Sequence, residues 1–190
     1  DSTIAGFSHT HLSGTGAGDL YDISFMPVRR PLVVGEEPLG VYSKFSHKNE
    51  EAKAGFYRVH LDDYDIDVEL TATDRCGVQR YTFPEGECAV ILNLAKAMNW
   101  DRTLDSKIEI IDSVTVAGYR YSDGWARNQK VYFATRFSKP FASVAFENVE
   151  IKNEEGDTGI GRVATFDYKT TAGEKLTVVT ALSPTGIEGA

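Results

Sequence analysis

Lys130-Val131-Tyr132-Phe133-Ala134-Thr135-Arg136-Phe137 is the stretch that decides how this chain folds. Val131, Phe133, Thr135 and Phe137 alternate with Lys130, Tyr132, Ala134 and Arg136. That is the two-residue period of a strand with one face in a core and the other in water. Ile66-Asp67-Val68-Glu69-Leu70-Thr71 repeats the pattern. Similar runs lie at 23–28, 56–61, 76–83, 88–95, 107–111, 113–122, 141–151, 160–168 and 174–182. Turn signals separate them at Pro84–Gly86, Ser122–Gly124, Asn153–Gly156 and Thr171–Gly173. About eleven short strands without a long helical period predict an all-β chain, an antiparallel two-sheet β-sandwich. One short helix is expected around His47–Lys53, opened by Ser46 and closed by Gly55. No repeat, low-complexity tract or linker divides the chain, so residues 1–190 read as one domain.

Composition narrows the function classes. Twenty basic residues against 28 acidic ones leave a net charge of −8, the opposite of what a nucleic-acid binder or a ligand of anionic membranes carries. No apolar run approaches the roughly 18 residues of a membrane span. The two cysteines, Cys76 and Cys88, cannot build a disulfide scaffold or a four-cysteine zinc site. Read as a hairpin through Pro84–Glu87, the two strands set Cys88 near Phe83 and Cys76 at the open end. The thiols are then out of register and expected free.

The densest candidate for chemistry is Gly6-Phe-Ser-His-Thr-His-Leu-Ser-Gly-Thr-Gly-Ala-Gly-Asp19. On a strand, His9 and His11 would share a face, and Asp19 could complete a metal's three protein ligands. Alternatively both histidines bond locally within a glycine-rich loop. Gly14, Gly16 and Gly18 lack the strand–helix context and the following Lys-Ser or Lys-Thr of a nucleotide loop. Ser8 and Ser13 are the nearest serines for a nucleophile, without an evident orienting acid. His9, His11, Ser13, Thr15 and Asp19 together offer the mixed donors and acceptors that sugar hydroxyls need. In Tyr119-Arg-Tyr-Ser-Asp-Gly-Trp125 the tryptophan falls at a hairpin tip, where it can stack on a sugar ring or pack on a neighbouring domain. Asp62-Asp63-Tyr64-Asp65 reads as a turn of solvated carboxylates. Nothing selects a glycosidase pair among the 28 acidic residues.

At these motifs the chain resembles the glycoside hydrolase family 92 α-mannosidases. The resemblance starts with Gly6–Gly16, Asp19 and Asp22-Ile-Ser-Phe-Met-Pro27. It continues through Phe45–Glu50, Leu70–Arg75 and Arg80–Pro84, then Gly124-Trp-Ala126, Gln129–Phe133 and Phe137–Phe141, and ends near Ile187-Glu-Gly189. It is collinear over essentially the whole chain.

The resemblance implies an N-terminal β-sandwich that works with a C-terminal α/α toroid, the active site lying between them. It implies an exported bacterial, extracytoplasmic, exo-acting enzyme that hydrolyses α-mannosidic bonds with inversion and needs Ca²⁺. The general acid, general base and most calcium ligands of such enzymes come from the toroid. This chain is therefore expected to be a domain fragment with no catalytic residue, no Ca²⁺ of its own and no activity alone. A segment rich in Gly and Trp is expected before the residues matching Asp1–Ile4. The partners implied are the toroid and mannose-containing glycans, with self-association through an exposed interface also expected. Two functions stay open: a domain that supports and shapes the parent's sugar site, through His9, His11, Ser13, Thr15, Asp19 and Trp125, or a stand-alone carbohydrate-binding or purely structural module.

Overall fold

The structure, a computed structural model, describes residues 2–12, 18–36, 40–98, 100–152 and 156–190. Among them sixteen strands run in chain order. They are β1 (Ser2–Ile4), β2 (Thr10–Leu12), β3 (Asp19–Asp22), β4 (Ser24–Arg29), β5 (Ser43–Phe45), β6 (Glu50–Lys53), β7 (Phe56–Leu61) and β8 (Ile66–Ala72). There follow β9 (Cys76–Phe83), β10 (Gly86–Asn93), β11 (Arg102–Ile110), β12 (Thr115–Asp123), β13 (Gln129–Phe137), β14 (Ser143–Lys152), β15 (Thr158–Thr170) and β16 (Glu174–Ser183). The eleven runs read from the alternation are β4 and β7–β16. The five strands the alternation missed are three or four residues long, too short to show a period of two.

Two antiparallel sheets make the sandwich. One has eight strands in the order β11-β12-β13-β16-β9-β8-β7-β6, the other four in the order β14-β15-β10-β4. Short β1-β5 and β2-β3 ribbons flank them. Between the sheets lie Ile66 and Val68 of β8, Tyr81 and Phe83 of β9, Phe133 and Phe137 of β13 and Phe166 of β15, all buried. Phe137 packs on Phe166 with ring centroids 5.0 Å apart. Burying such a side chain stabilises the fold by about 1.5–3 kcal/mol. β4 is buried on both faces from Ser24 to Val28, and the N-terminal segment bonds to its edge through Phe7 N–H to Phe25 O (2.8 Å) and Phe25 N–H to Phe7 O (3.1 Å). At the far edge, β11 lies against β15. Ser106 Oγ donates to Ile160 O (3.0 Å) and accepts from Arg162 N–H (2.7 Å), while a Cβ on Gly159 would meet Thr103 O at 2.0 Å.

The structure corrects two local expectations. Within the expected His47–Lys53 helix only His47–Asn49 is helical, a single 3₁₀ turn whose N-cap Ser46 accepts from Lys48 N–H. Glu50–Lys53 is β6 and pairs with β7, with Gly55 in the hairpin turn between them. His-Lys-Asn-Glu-Glu-Ala-Lys has no apolar stripe to hold a helix on the core, whereas the open edge of β7 offers ladder bonds. Secondly, β9 and β10 are not a hairpin. β9 pairs with β16 and β8, and β10 with β15 and β4, so the connection at Pro84 crosses from one sheet to the other. Cys76 and Cys88 are free, as expected, but sheet membership rather than hairpin register keeps them apart. The turn at Asp62–Asp65 is present, with Tyr64 buried in the core and donating to Val33 O, so only part of it faces solvent. The residues 153–155 of the turn expected before Gly156 lie outside the described residues.

Candidate functional site

The chain between Asp19 and Ser24 is strained. Leu20, Tyr21 and Ile23 have φ of +74°, +84° and +51°. Positive φ is uncommon outside glycine and a genuine outlier for a β-branched residue such as Ile23. Strain of this kind costs on the order of 1–3 kcal/mol per residue and persists only where surrounding contacts over-determine the backbone. Here the contacts are those of Asp19, just before the strained run, and Asp22, within it.

Asp22 and Arg120 are both fully buried. Arg120 projects inward from β12 and donates from Nη1 to Asp22 Oδ1 (2.5 Å), from Nη2 to Asp101 Oδ2 (2.8 Å) and from Nε to Thr103 Oγ1 (2.9 Å). Gln129 Nε2, at the start of β13, donates to Asp22 Oδ2 (2.6 Å), and the Thr10 hydroxyl donates to the same oxygen. The guanidinium is thus bonded along three sides. Burial holds the Asp101 carboxyl above its ordinary pKa; Arg120 works against that shift and Asp22 adds to it. The network ties together the β2-β3 ribbon, the start of β11 and the β12-β13 hairpin.

Asp19 lies beside this network, with Gly124 packed between it and Asp101. Its Oδ2 accepts the backbone N–H of Trp125 at 2.9 Å across the tip of the β12-β13 hairpin. A Cβ on Gly124 would lie 2.7 Å from Asp19 Oδ1 and 2.8 Å from Asp101 Cα, so only glycine lets the tip settle this closely. Asp19 Oδ1 is buried and has no hydrogen-bond partner among the described residues. Trp125 stands 73% exposed at the tip, as its place in the sequence predicts, and Trp100, next to Asp101, is 61% exposed.

His9 and His11 do not share a face. The β2-β3 register shifts between Thr10 and His11, with Tyr21 of β3 as the extra residue, and His9 precedes β2; His11 is exposed while His9 turns inward. His9 Nδ1–H donates to Ile23 O (2.7 Å), and its ring stacks edge-on to Phe25 and lies against Gly77, where a Cβ would be 2.5 Å from the imidazole. Burial lowers its pKa, opposed by the bond to Ile23, and Nε2 is sealed without a partner among the described residues. His9 is therefore neutral, with its proton on Nδ1.

Of the residues picked out from sequence, the structure gathers His9, Asp19 and Trp125 around one anchored end of the sandwich. Ser13 and Thr15, with Gly14 and Gly16, lie outside the described residues. Among the described residues no three His, Cys, Asp or Glu side chains are grouped as metal ligands, and two of the buried carboxylates are taken by Arg120. The described residues thus do not fit a calcium cage. Sequence reasoning missed Asp22, Asp101, Arg120, Gln129 and Trp100. A signal for Arg120 was present: it falls on the inward parity of β12 with Val116 and Ser122, and a charge there has to be paired. Two open depressions lie elsewhere, one of about 440 Å³ beside Tyr119, Tyr121 and Tyr132 and one of about 530 Å³ beside Glu50, Arg58 and His60. Among the described residues no helix is long and apolar enough to cross a membrane.

The comparisons with known proteins agree with one another. The glycosyl hydrolase family 92 N-terminal domain matches residues 1–183. The solved GH92 α-mannosidase BT3965 from Bacteroides thetaiotaomicron, in complex with mannoimidazole, is similar at a TM-score of 0.87 and 31% identity over 99% of this chain. The GH92 inverting mannosidase BT2199 of the same organism aligns at 0.67 and 27% over 87%, and the GH92 glycosyl hydrolase ccman5 at 0.71 and 25% over 98%. The chain spans only 27%, 22% and 27% of these proteins respectively. No curated protein sequence matches it.

Proposed function

This chain belongs to glycosyl hydrolase family 92 as its N-terminal domain, and on that premise we propose that it shapes the sugar site of a parent α-mannosidase rather than cleaving the bond itself. The observation that carries this reading is the Asp19–Trp125 latch on the buried Arg120 network. It holds an aromatic tip and a strained loop in fixed positions, as a site that must present groups to a ligand requires. The general acid, the general base and Ca²⁺ belong, on this reading, to a toroidal domain of the parent, and hydrolysis proceeds there with inversion. The parent works outside the bacterial cytoplasm on mannose-containing glycans. This chain's share is to orient the sugar through His11 and Trp125, and to exclude water on the side it covers. His9 supports the loop from beneath.

The test is kinetic. The chain alone hydrolyses no mannoside, with or without Ca²⁺. In the intact parent, His11→Ala and Trp125→Ala each lower kcat/KM at unchanged melting temperature. Losing one hydrogen bond to an uncharged hydroxyl corresponds to about 0.5–1.5 kcal/mol. His9→Ala lowers the melting temperature. Turnover by the purified chain, or full kcat/KM in both surface variants, overturns the proposal.

A further inference from the structure

The two tryptophans of this chain stand on one buried network. Asp101, beside Trp100, is fixed by Arg120 Nη2 and by its own N–H to Met98 O (3.1 Å). Trp125 is fixed by Asp19. Gly124 joins the two points, since a Cβ built on it would lie 2.8 Å from Asp101 Cα. Each tryptophan is one residue beyond that contact. With about 3.8 Å per Cα step, their Cα atoms fall within roughly 12 Å of each other. Both side chains are mostly in solvent, at 61% and 73%, although tryptophan is on average among the more buried residues.

We infer that Trp100 and Trp125 form a paired aromatic platform that stacks on the pyranose rings of a neutral mannose-containing glycan. The inference rests on the mannosidase reading for the identity of the sugar. Its physical basis is separate. An indole face is an apolar surface with negative charge density, suited to the C–H face of a sugar ring. Both backbones are held from below, so stacking orders little that is not already ordered. The charged side chains on and beneath the two tips are four carboxylates (Asp19, Asp22, Asp101, Asp123) and three guanidiniums (Arg102, Arg120, Arg127), with Asp22 and Asp101 paired to Arg120 and Asp123 to Arg102. No cationic excess is left to favour phosphate-bearing ligands over neutral ones.

Because the chain holds only two tryptophans, fluorescence excited selectively at tryptophan, beyond the absorption of its nine tyrosines, reports on this platform alone. Titration with methyl α-mannoside and an α-linked mannobiose is expected to give a saturable change. Trp100→Ala and Trp125→Ala, each leaving one reporter, weaken binding about two- to twelve-fold, and the double variant, followed by calorimetry, shows none. Melting temperatures stay unchanged, since neither side chain is in the core. No saturable change overturns the inference, as does binding that neither variant weakens. A fluorescence shift only on adding the remainder of the enzyme assigns the pair to a domain contact and also overturns it. The outcomes separate the two readings. A chain that binds no sugar leaves the kinetic test of the intact enzyme standing. A chain that binds sugar, while His11→Ala and Trp125→Ala parents keep full kcat/KM, keeps the platform and removes the site-shaping role.

Discussion

Arg120 Nη1 and Asp22 Oδ1 meet at 2.5 Å with both side chains sealed from solvent, joining residues 98 positions apart in the chain. A pair at such depth is weak evidence for stability, since desolvation offsets most of the attraction, but breaking it is costly. Asp22→Leu or Arg120→Met alone is expected to destabilise the chain by about 3–5 kcal/mol: the first strands Gln129 and the Thr10 hydroxyl and leaves Arg120 with Asp101 as its remaining carboxylate, and the second leaves Asp22 and Asp101 without their buried counter-charge. Asp22→Leu with Arg120→Met should cost clearly less than the sum of the singles. Chemical denaturation of the four proteins checks this. Additive losses would mean that the network does not act as a unit.

His9 predicts an acid-sensitive stability. Its pKa in the fold lies below the ordinary 6.5, so below pH 6.5 the unfolded chain takes up a proton that the folded chain refuses. Stability is full above 6.5 and falls as pH drops toward the folded value, by at most about 1.4 kcal/mol per pH unit. The carboxylates held low by their partners, Glu69 through Arg80 and Glu174 through Lys139, lose their contribution only around and below 4.5. The Asp101 carboxyl, raised by burial, changes stability in the opposite sense. Denaturation midpoints between pH 7.5 and 5 should fall for the native chain, and His9→Gln should remove that fall. An unchanged profile in His9→Gln would assign the sensitivity elsewhere.

Cys76 and Cys88 should titrate as two thiols without reductant in denaturant, and as one accessible thiol in the folded chain. Cys76 is half-buried and reacts first. Cys88 is buried; burial pushes its thiol up, against the hydrogen bond from Thr170 Oγ1 (3.3 Å), so the reactive thiolate is scarce and its labelling waits on opening. Zero thiols at unchanged mass would contradict the separation of β9 and β10 into different sheets.

The edge strand β14 should make the chain self-associate. It is ten residues long, ends its sheet, and exposes Phe146 at 52%. The other edges are guarded: β4 by the N-terminal segment, β11 by β15, and β6 by being four residues of Glu-Glu-Ala-Lys. Light scattering is expected to show mass rising with concentration, and Phe146→Lys to suppress it. A native chain that stays monomeric at high concentration would refute this.

Alternation alone placed β4 and β7–β16, since an inward–outward pattern is written residue by residue and each strand carries its own copy. It also placed Trp125 at a hairpin tip and made Asp19 a candidate, because turn residues and dense polar loops are local features. It failed wherever the deciding contact was distant. Glu50–Lys53 has no strand signal of its own and becomes β6 only because β7 offers a free edge. His9 lies just outside β2 and turns inward while His11 is exposed, a parting that no periodicity encodes.

The sequence by itself determined that this chain is all-β, that it is acidic and that it resembles the family 92 mannosidases, because composition, period and collinear motifs are properties of the string. Only the tertiary structure decided which sheet each strand joins, and hence that Cys76 and Cys88 lie in different sheets. It also decided that Asp22, Asp101 and Arg120 close on one another and that Trp100 and Trp125 stand on the same support. Those outcomes depend on pairing between segments many residues apart, chosen because a buried charge must find its counter-charge and a buried face its cover.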